Sequence, residues 1–183
     1  MASRQPASVE VKVSLRSSVW NRFWDALAVV AIAFAIWKIF VAPRWLAAPG
    51  THPAPHATFA RLEGSQFHIT DQRGHVLFLE FYASWCEPCK IELPLVQAWE
   101  RKHPDATIVP VDVGEPRSVA AEFARRHALG NVALDPQSLA RAYFDVEGFP
   151  TMVVIDPSGD IRAKWEGLNP AIALALTNAE NRL

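Results

Sequence analysis

The residues best suited to chemistry are the two cysteines of the chain, Cys86 and Cys89, which form a C-x-x-C pair. An unbroken apolar run predicts a strand buried on both faces over residues 75–82, and a helix is predicted over residues 87–101. Cys86 would then lie at the N-terminus of this helix, where unpaired N–H groups and the helix dipole favour a thiolate. We therefore predict that Cys86 is the nucleophile and that Cys89, one turn further along, resolves the mixed disulfide.

Other uses of a C-x-x-C pair are less well supported by the remaining residues. A zinc site needs two more ligands, and the spaced pair His52 and His56 lies in a proline-rich stretch that does not form a helix. Covalent haem attachment needs a histidine after the second cysteine, where Lys90 stands. A structural disulfide across so short a loop constrains the unfolded chain little, and a peroxide-reducing enzyme would need a separate reactive cysteine. We therefore expect neither a metal nor another cofactor.

The elements around the cysteine pair alternate between strands and helices. The pattern predicts a hairpin over residues 61–70, strands over residues 75–82, 107–113, 151–155 and 161–165, and helices over residues 87–101, 116–127, 138–144 and from Asn169 onward. Asn169 and Pro170 would cap and begin the last helix. Because strands and helices interleave, we predict an α/β fold whose sheet is covered by helices on both faces.

Composition and charge exclude several other classes of protein. The chain has 183 residues, half of them apolar and a fifth charged, so it is not intrinsically disordered, and 2 cysteines cannot make a disulfide-rich scaffold. Residues 1–43 carry five basic and two acidic groups, a net +3, whereas residues 44–183 carry thirteen and seventeen, a net −4. An acidic domain offers no attractive surface to phosphate backbones, so nucleic acid is not an expected partner.

The N-terminal part of the chain predicts a membrane anchor. Residues 26–42 are almost entirely apolar and have aromatic neighbours, which favours one transmembrane helix over residues 23–46. Four basic residues precede the apolar run and one follows it closely, so the positive-inside rule places residues 1–22 in the cytoplasm and the rest of the chain outside. A buried helix of a soluble core and a cleaved signal peptide remain alternatives.

A proline-rich segment follows the predicted anchor. Residues 47–58 include Pro49, Pro53 and Pro55, which predicts a semi-extended linker that holds the domain clear of the bilayer. The folded domain would then comprise residues 59–183. We expect a single-pass protein of the plasma membrane, or inner membrane, whose domain lies on the periplasmic or extracytoplasmic side.

Two sequence blocks carry a resemblance to a known family. The first is the run FYASWCEPCK over residues 81–90 with Glu92, Leu93 and Pro94, and the second is VEGFPT over residues 146–151 followed by Ile155, Asp156 and Gly159. The chain resembles the thioredoxin-fold proteins, specifically the membrane-anchored TlpA-like and ResA-like thiol-disulfide oxidoreductases of bacteria. The resemblance covers residues 59–183 and implies a thioredoxin fold, with a mixed central sheet and helices on both faces.

The resemblance also implies roles for individual residues. Pro150 corresponds to the family's cis-proline facing the cysteine pair, and the backbone of Phe149 would pair with an extended substrate segment. Pro94 matches a helix-kinking proline, with early termination of the helix as the alternative. Asp145 stands where the family often has glycine and would need a positive φ.

Acidic and supporting residues complete the predicted site. Glu80 lies where thioredoxins carry a buried acid, and an acid in a strand buried on both faces is costly without a role, so we predict that it takes the proton from Cys89. Glu92 matches an acid of the ResA-like group, with a solvated helix face as the alternative. Trp85, Glu87 and Pro88 support the pair, and Glu87 would oppose a further negative charge at the nucleophile.

We therefore predict a membrane-tethered oxidoreductase that exchanges disulfides with exported proteins, acting as a reductant. Because the predicted span contains no cysteine to carry electrons across, a separate membrane thiol carrier is implied as its reductant. By resemblance, the haem-binding cysteine pairs of apocytochromes c are candidate substrates. An oxidase or isomerase of exported proteins, and a tethered binding module without catalysis, are the alternatives.

Overall fold

A computed structural model describes residues 15–36 and 52–183, which fall in two compact units, one up to Ala42 and one from Pro43 onward. The first unit contains helix α1, Leu15–Ile36. No helix in the two described ranges is both long enough and apolar enough to cross a membrane. The predicted span over residues 23–46 includes residues 37–46, which lie outside the described ranges.

The second unit is an α/β domain. In chain order its elements are β1 (His52–Pro53), β2 (Thr58–Arg61), β3 (Gln66–His68), a 3-10 turn (Ile69–Gln72), β4 (Leu77–Tyr82), α2 (Glu87–Glu100), β5 (Thr107–Val113), α3 (Arg117–His127), β6 (Ala133–Asp135), α4 (Ala140–Phe144), β7 (Thr151–Ile155), β8 (Asp160–Glu166) and α5 (Ile172–Glu180). The described strands form one sheet in the order β1-β8-β7-β4-β5-β6-β2-β3. β4, β5 and β6 run parallel and the other neighbours antiparallel, so the sheet is mixed.

The central strand β4 packs different helices on its two faces. Every residue of β4 is buried, as its apolar run predicts. On one face Phe78 packs with Trp99 of α2 and Leu176 of α5, and on the other Phe81 packs with Phe144 of α4. The prediction of a sheet covered by helices on both faces is confirmed. Because side chains alternate along a strand, Phe78, Glu80 and Tyr82 share the face that α2 covers.

The sheet includes residues that the sequence assigns to the linker. His52 pairs with Ile161 and Pro53 with Asp160, and the N–H of Ala54 donates to Gly159 at 2.8 Å. Thr58 already belongs to β2. An edge strand accommodates proline because one of its sides needs no partner. In the described part of the chain, residues 52–58 therefore belong to the folded domain.

Two further elements differ from the predicted ones. Strand β6 was not predicted, because three buried residues are too short to show a period, and it pairs with β5 on one side and β2 on the other. The last helix begins at Ile172, later than the Asn169 cap predicts. The side chain of Asn169 does accept from Ala171 at 3.0 Å, but its own main-chain N–H donates to Glu92. The chain therefore makes a turn before α5 starts.

Two local expectations can be checked directly. Asp145 ends α4 with a φ of 52°. This is the left-handed conformation expected at a position where the similar family often has glycine. Pro94 lies inside α2, which continues to Glu100, so it does not end the helix.

Candidate active site

Cys86 and Cys89 form a disulfide at the N-terminus of α2. Cys86 is the capping residue, and the main-chain N–H of Cys89 donates to its Sγ at 3.2 Å. Cys86 keeps 4% of its surface exposed, whereas Cys89 has none. An outside sulfur can therefore reach Cys86 first, and the N–H group aimed at that sulfur stabilises it as a thiolate once the disulfide opens.

The first turn of α2 carries the two residues between the cysteines. Glu87 and Pro88 are the first residues of the helix, where proline has no N–H to satisfy. The exposed carboxylate of Glu87 forms an ion pair with Lys90 at 2.5 Å. Lys90 thus offsets part of the charge that Glu87 places beside Cys86, although an exposed pair of this kind is weak.

An aromatic edge, formed by Trp85 and Phe149, lies next to the disulfide. The ring centroids are 5.8 Å apart, Trp85 is 66% exposed, and Phe149 packs against the cluster that contains both cysteines. The bond between Phe149 and Pro150 is cis, as the resemblance implies. Over the described parts of the chain, no hydrogen bond occupies the N–H or C=O of Phe149. An extended substrate segment could pair with this backbone.

Trp85→Ala should slow exchange with protein disulfides much more than exchange with small ones. An exposed aromatic ring at the centre of a contact surface contributes to binding a protein partner, but not to the sulfur chemistry. We expect about a tenfold loss of kcat/KM with insulin and less than about a twofold loss with hydroxyethyl disulfide. Tyr143→Ala, which removes another exposed ring, is the control. Equal losses on both substrates would contradict a role in docking.

Glu80 is a deeply buried acid of the site. It is 1% exposed, and neither carboxylate oxygen has a hydrogen-bond partner among the described residues. Burial, followed by the charges of Glu92 and Glu100, raises its pKa well above the usual 4.5. A carboxyl group with a raised pKa, on the sheet face that α2 covers, suits proton exchange with Cys89. That role stays a prediction.

Glu92 is also buried, so the alternative of a solvated helix face is wrong. It is 2% exposed, and its Oε2 accepts from the N–H of Asn169 at 2.6 Å. Burial raises its pKa from 4.5 to about 7, against the lowering effect of that hydrogen bond. Glu92 thus titrates near neutral pH, one turn of α2 beyond Cys89.

Sequence reasoning missed a polar cluster where β4 and β5 end, formed by Tyr82, Ser84, Asp112 and Glu115. Asp112 pairs with Tyr82 in the sheet register, and its buried oxygens have no hydrogen-bond partner in the described residues. Burial, followed by the charge of Glu115, raises the pKa of Asp112 from 3.8 to about 8. Asp112 interrupts the apolar strand over residues 107–113, so the argument applied to the acid in β4 could have found it.

Comparisons with known proteins agree with this geometry. The model of the AhpC/TSA family matches residues 51–164. The thiol-disulfide oxidoreductase ResA of Geobacillus thermodenitrificans is 30% identical over 141 residues, which cover 74% of this chain and 79% of the relative. The ResA protein of Bacillus subtilis is 29% identical over 136 residues, or 73% of this chain and 75% of the relative.

A solved structure extends the similarity to three dimensions. A protein of Chlorobium tepidum, described as a thiol:disulfide interchange protein DsbE, superposes with a TM-score of 0.66 at 27% identity, covering 73% of this chain and 96% of that protein. The domain therefore has the thioredoxin-like α/β fold.

Proposed function

The chain belongs to the AhpC/TSA family and is a ResA-like thiol-disulfide oxidoreductase, and from this premise we propose that it is a membrane-tethered reductant of exported proteins. The observation that carries its chemistry is the Cys86–Cys89 disulfide, in which Cys86 is 4% exposed and Cys89 is not exposed at all. The pair is a two-electron carrier that needs no cofactor.

The reaction proceeds in two exchange steps. In the reduced enzyme the Cys86 thiolate attacks a substrate disulfide, forms a mixed disulfide and releases one substrate thiolate, which takes up a proton. Cys89 loses its proton, attacks the Sγ of Cys86 and releases the second substrate thiol. The substrate gains two electrons and two protons, and the enzyme is left with the Cys86–Cys89 disulfide.

The direction of exchange is inferred from the charges around the pair. A strong oxidant has a stabilised thiolate, because the reduced form is then favoured. Here the carboxylate of Glu87 adjoins Cys86. It opposes a further negative charge, which disfavours the thiolate and supports a reducing couple.

The tether and the cellular side of the domain are proposed from the N-terminal residues. The described side chains of α1 include large exposed apolar residues, among them Leu27, Val29 and Ile32, and exposed apolar surface marks a membrane or protein contact. We propose that residues 23–46 anchor the protein in the plasma membrane and that the domain faces outward. A membrane thiol carrier would then recharge the pair, and apocytochrome c cysteines are the proposed substrates.

Cys89→Ser should trap the natural substrates as stable mixed disulfides on Cys86. The variant can form the first intermediate, but it lacks the thiol that resolves it. We expect discrete adducts that disappear on treatment with dithiothreitol, and mass spectrometry should identify exported proteins with paired cysteines. A variant with serine at both positions is the matched control. Adducts consisting only of cytoplasmic proteins would contradict the proposed location.

The oxidase alternative is separated from the reductase by equilibrium with a glutathione or dithiothreitol buffer. A reductant of exported proteins must have a potential well below that of a strong oxidant such as DsbA, which is about −120 mV. A value near that figure would overturn the proposed direction while leaving the exchange chemistry intact.

A further inference from the structure

Glu115 makes two short hydrogen bonds to the turn that carries Cys86. One carboxylate oxygen accepts from the main-chain N–H of Ser84 at 2.5 Å, and the other accepts from its hydroxyl at 2.6 Å. Glu115 is 9% exposed, so water competes little for these bonds. Hydrogen bonds to a charged acceptor are among the stronger ones in proteins. The turn is therefore held at its first residue by a side chain about thirty positions away.

The carboxylate itself is held in place by the backbone around it. It follows β5 directly after Gly114, whose φ is +79° and whose N–H donates to Asp135 at 2.8 Å. Pro116 comes next and precedes the first residue of α3. A strand end, a left-handed glycine and a helix start thus fix where Glu115 points. The carboxylate that holds the turn is therefore itself fixed at the end of β5.

The turn has other restraints, but one of them exists only in the oxidised protein. The N–H of Cys86 donates to Ala83 at 3.1 Å, and the disulfide ties Cys86 to α2. When the disulfide opens, that covalent tie is lost. The hydrogen bonds from Ser84 to Glu115 remain, so they should restrain the turn most in the reduced enzyme.

We propose that Glu115 is a positioning residue that acts through Ser84 to keep the Cys86 sulfur at the N-terminus of α2 after the disulfide opens. There the N–H of Cys89 and the helix dipole stabilise the thiolate. The inference rests on exchange at the Cys86–Cys89 pair, and on neither its direction nor its location.

Two substitutions at Glu115 separate position from charge. Glu115→Gln and Glu115→Ala remove the same charge, but a glutamine oxygen can still accept from the Ser84 N–H while its amide donates to the hydroxyl. Each is made in the Cys89→Ser background, so that iodoacetamide modifies Cys86 alone. At pH 6 we expect Glu115→Ala to be alkylated at least about threefold more slowly than Glu115→Gln, with a higher pKa for Cys86.

Substitutions at Ser84 keep the proposal testable even where Glu115→Ala does not fold. Ser84→Ala removes only the hydroxyl hydrogen bond and should slow alkylation by a smaller factor. Ser84→Thr keeps a hydroxyl donor and should be alkylated at the rate of the Cys89→Ser parent. Glu122→Ala, on an exposed side of α3, is the control for a lost acid. Equal rates for Glu115→Ala and Glu115→Gln, or for Ser84→Ala and Ser84→Thr, would overturn the proposal. Failure of the parent Cys86 to react at all would instead contradict the exchange function.

Discussion

Cys86→Ser should abolish disulfide exchange, lowering the insulin reduction rate at least about a thousandfold to that of the uncatalysed reaction. Cys86 is the less buried of the two cysteines, at 4% exposed against 0% for Cys89, so its sulfur is the one that we expect an outside partner to reach. A serine hydroxyl at the same helix N-terminus does not ionise at neutral pH and cannot form a mixed disulfide. Turnover with dithiothreitol as electron donor measures the loss directly.

The matched variant Cys89→Ser should lose turnover but keep the first chemical step. A single-turnover experiment with an activated disulfide should give one equivalent of adduct on Cys86 and none in the Cys86→Ser protein. Unfolding by urea checks that both variants retain the fold. A Cys86→Ser protein that still reduced insulin would show that Cys89 can attack the substrate disulfide directly, and the assigned order of the two sulfurs would then be wrong.

Glu80→Gln should raise the free energy of unfolding at pH 8 and leave it nearly unchanged at pH 4. The folded-state pKa of Glu80 is raised by burial and by Glu92 and Glu100, whereas the unfolded-state pKa is near 4.5. Above pH 4.5 the unfolded chain releases this proton and the folded protein retains it. The wild-type protein therefore loses stability as pH rises, until the folded-state pKa is reached, and the glutamine variant avoids that loss.

Urea unfolding at pH 4, 6 and 8 measures this difference in the free energy of unfolding. Glu122→Gln, at an exposed position of α3, is the control and should show no such dependence. Glu92 and Asp112, with pKa values raised to about 7 and about 8, remain in both proteins, so Glu80→Gln should flatten the pH profile without abolishing its slope. An effect of Glu80→Gln that is equal at all three pH values would rule out a raised pKa as its cause.

The same substitution should slow release of the second substrate thiol. A raised pKa makes the ionised form of Glu80 a stronger base, and if that form takes the proton of Cys89, glutamine removes the acceptor without changing the access of Cys86. Rapid-quench analysis should then show the mixed disulfide accumulating while its formation keeps the wild-type rate. Slower formation with unchanged release would contradict the assigned step.

The sequence predicted best those features that depend on local pattern. The strand before Cys86, the helix that follows it and the buried acid Glu80 all follow from one apolar run and the residues after it. The hydrogen bonds between Ser84 and Glu115 join residues 31 positions apart, and no local sequence pattern predicts them. Only the packed ends of β4 and β5 bring these two residues together.

Boundaries were predicted less well where pairing across the sheet decides them. His52 and Pro53 look like linker residues, because a strand of two residues is too short to show an alternating hydrophobic pattern. They nevertheless pair with β8. Glu92 could not be placed on a buried or a solvated side from its helix alone. Its burial depends on Asn169, in the loop before α5, which approaches from the far end of the chain.

The two edge strands of the sheet decide how readily copies of the domain could associate strand to strand. One border ends in β1, two residues long with Pro53 as its last member, and the other in β3, three residues long. Such short borders give a neighbouring copy few free backbone groups on which to add its own strands. The ends of the sheet thus give strand-to-strand association of two domains little support.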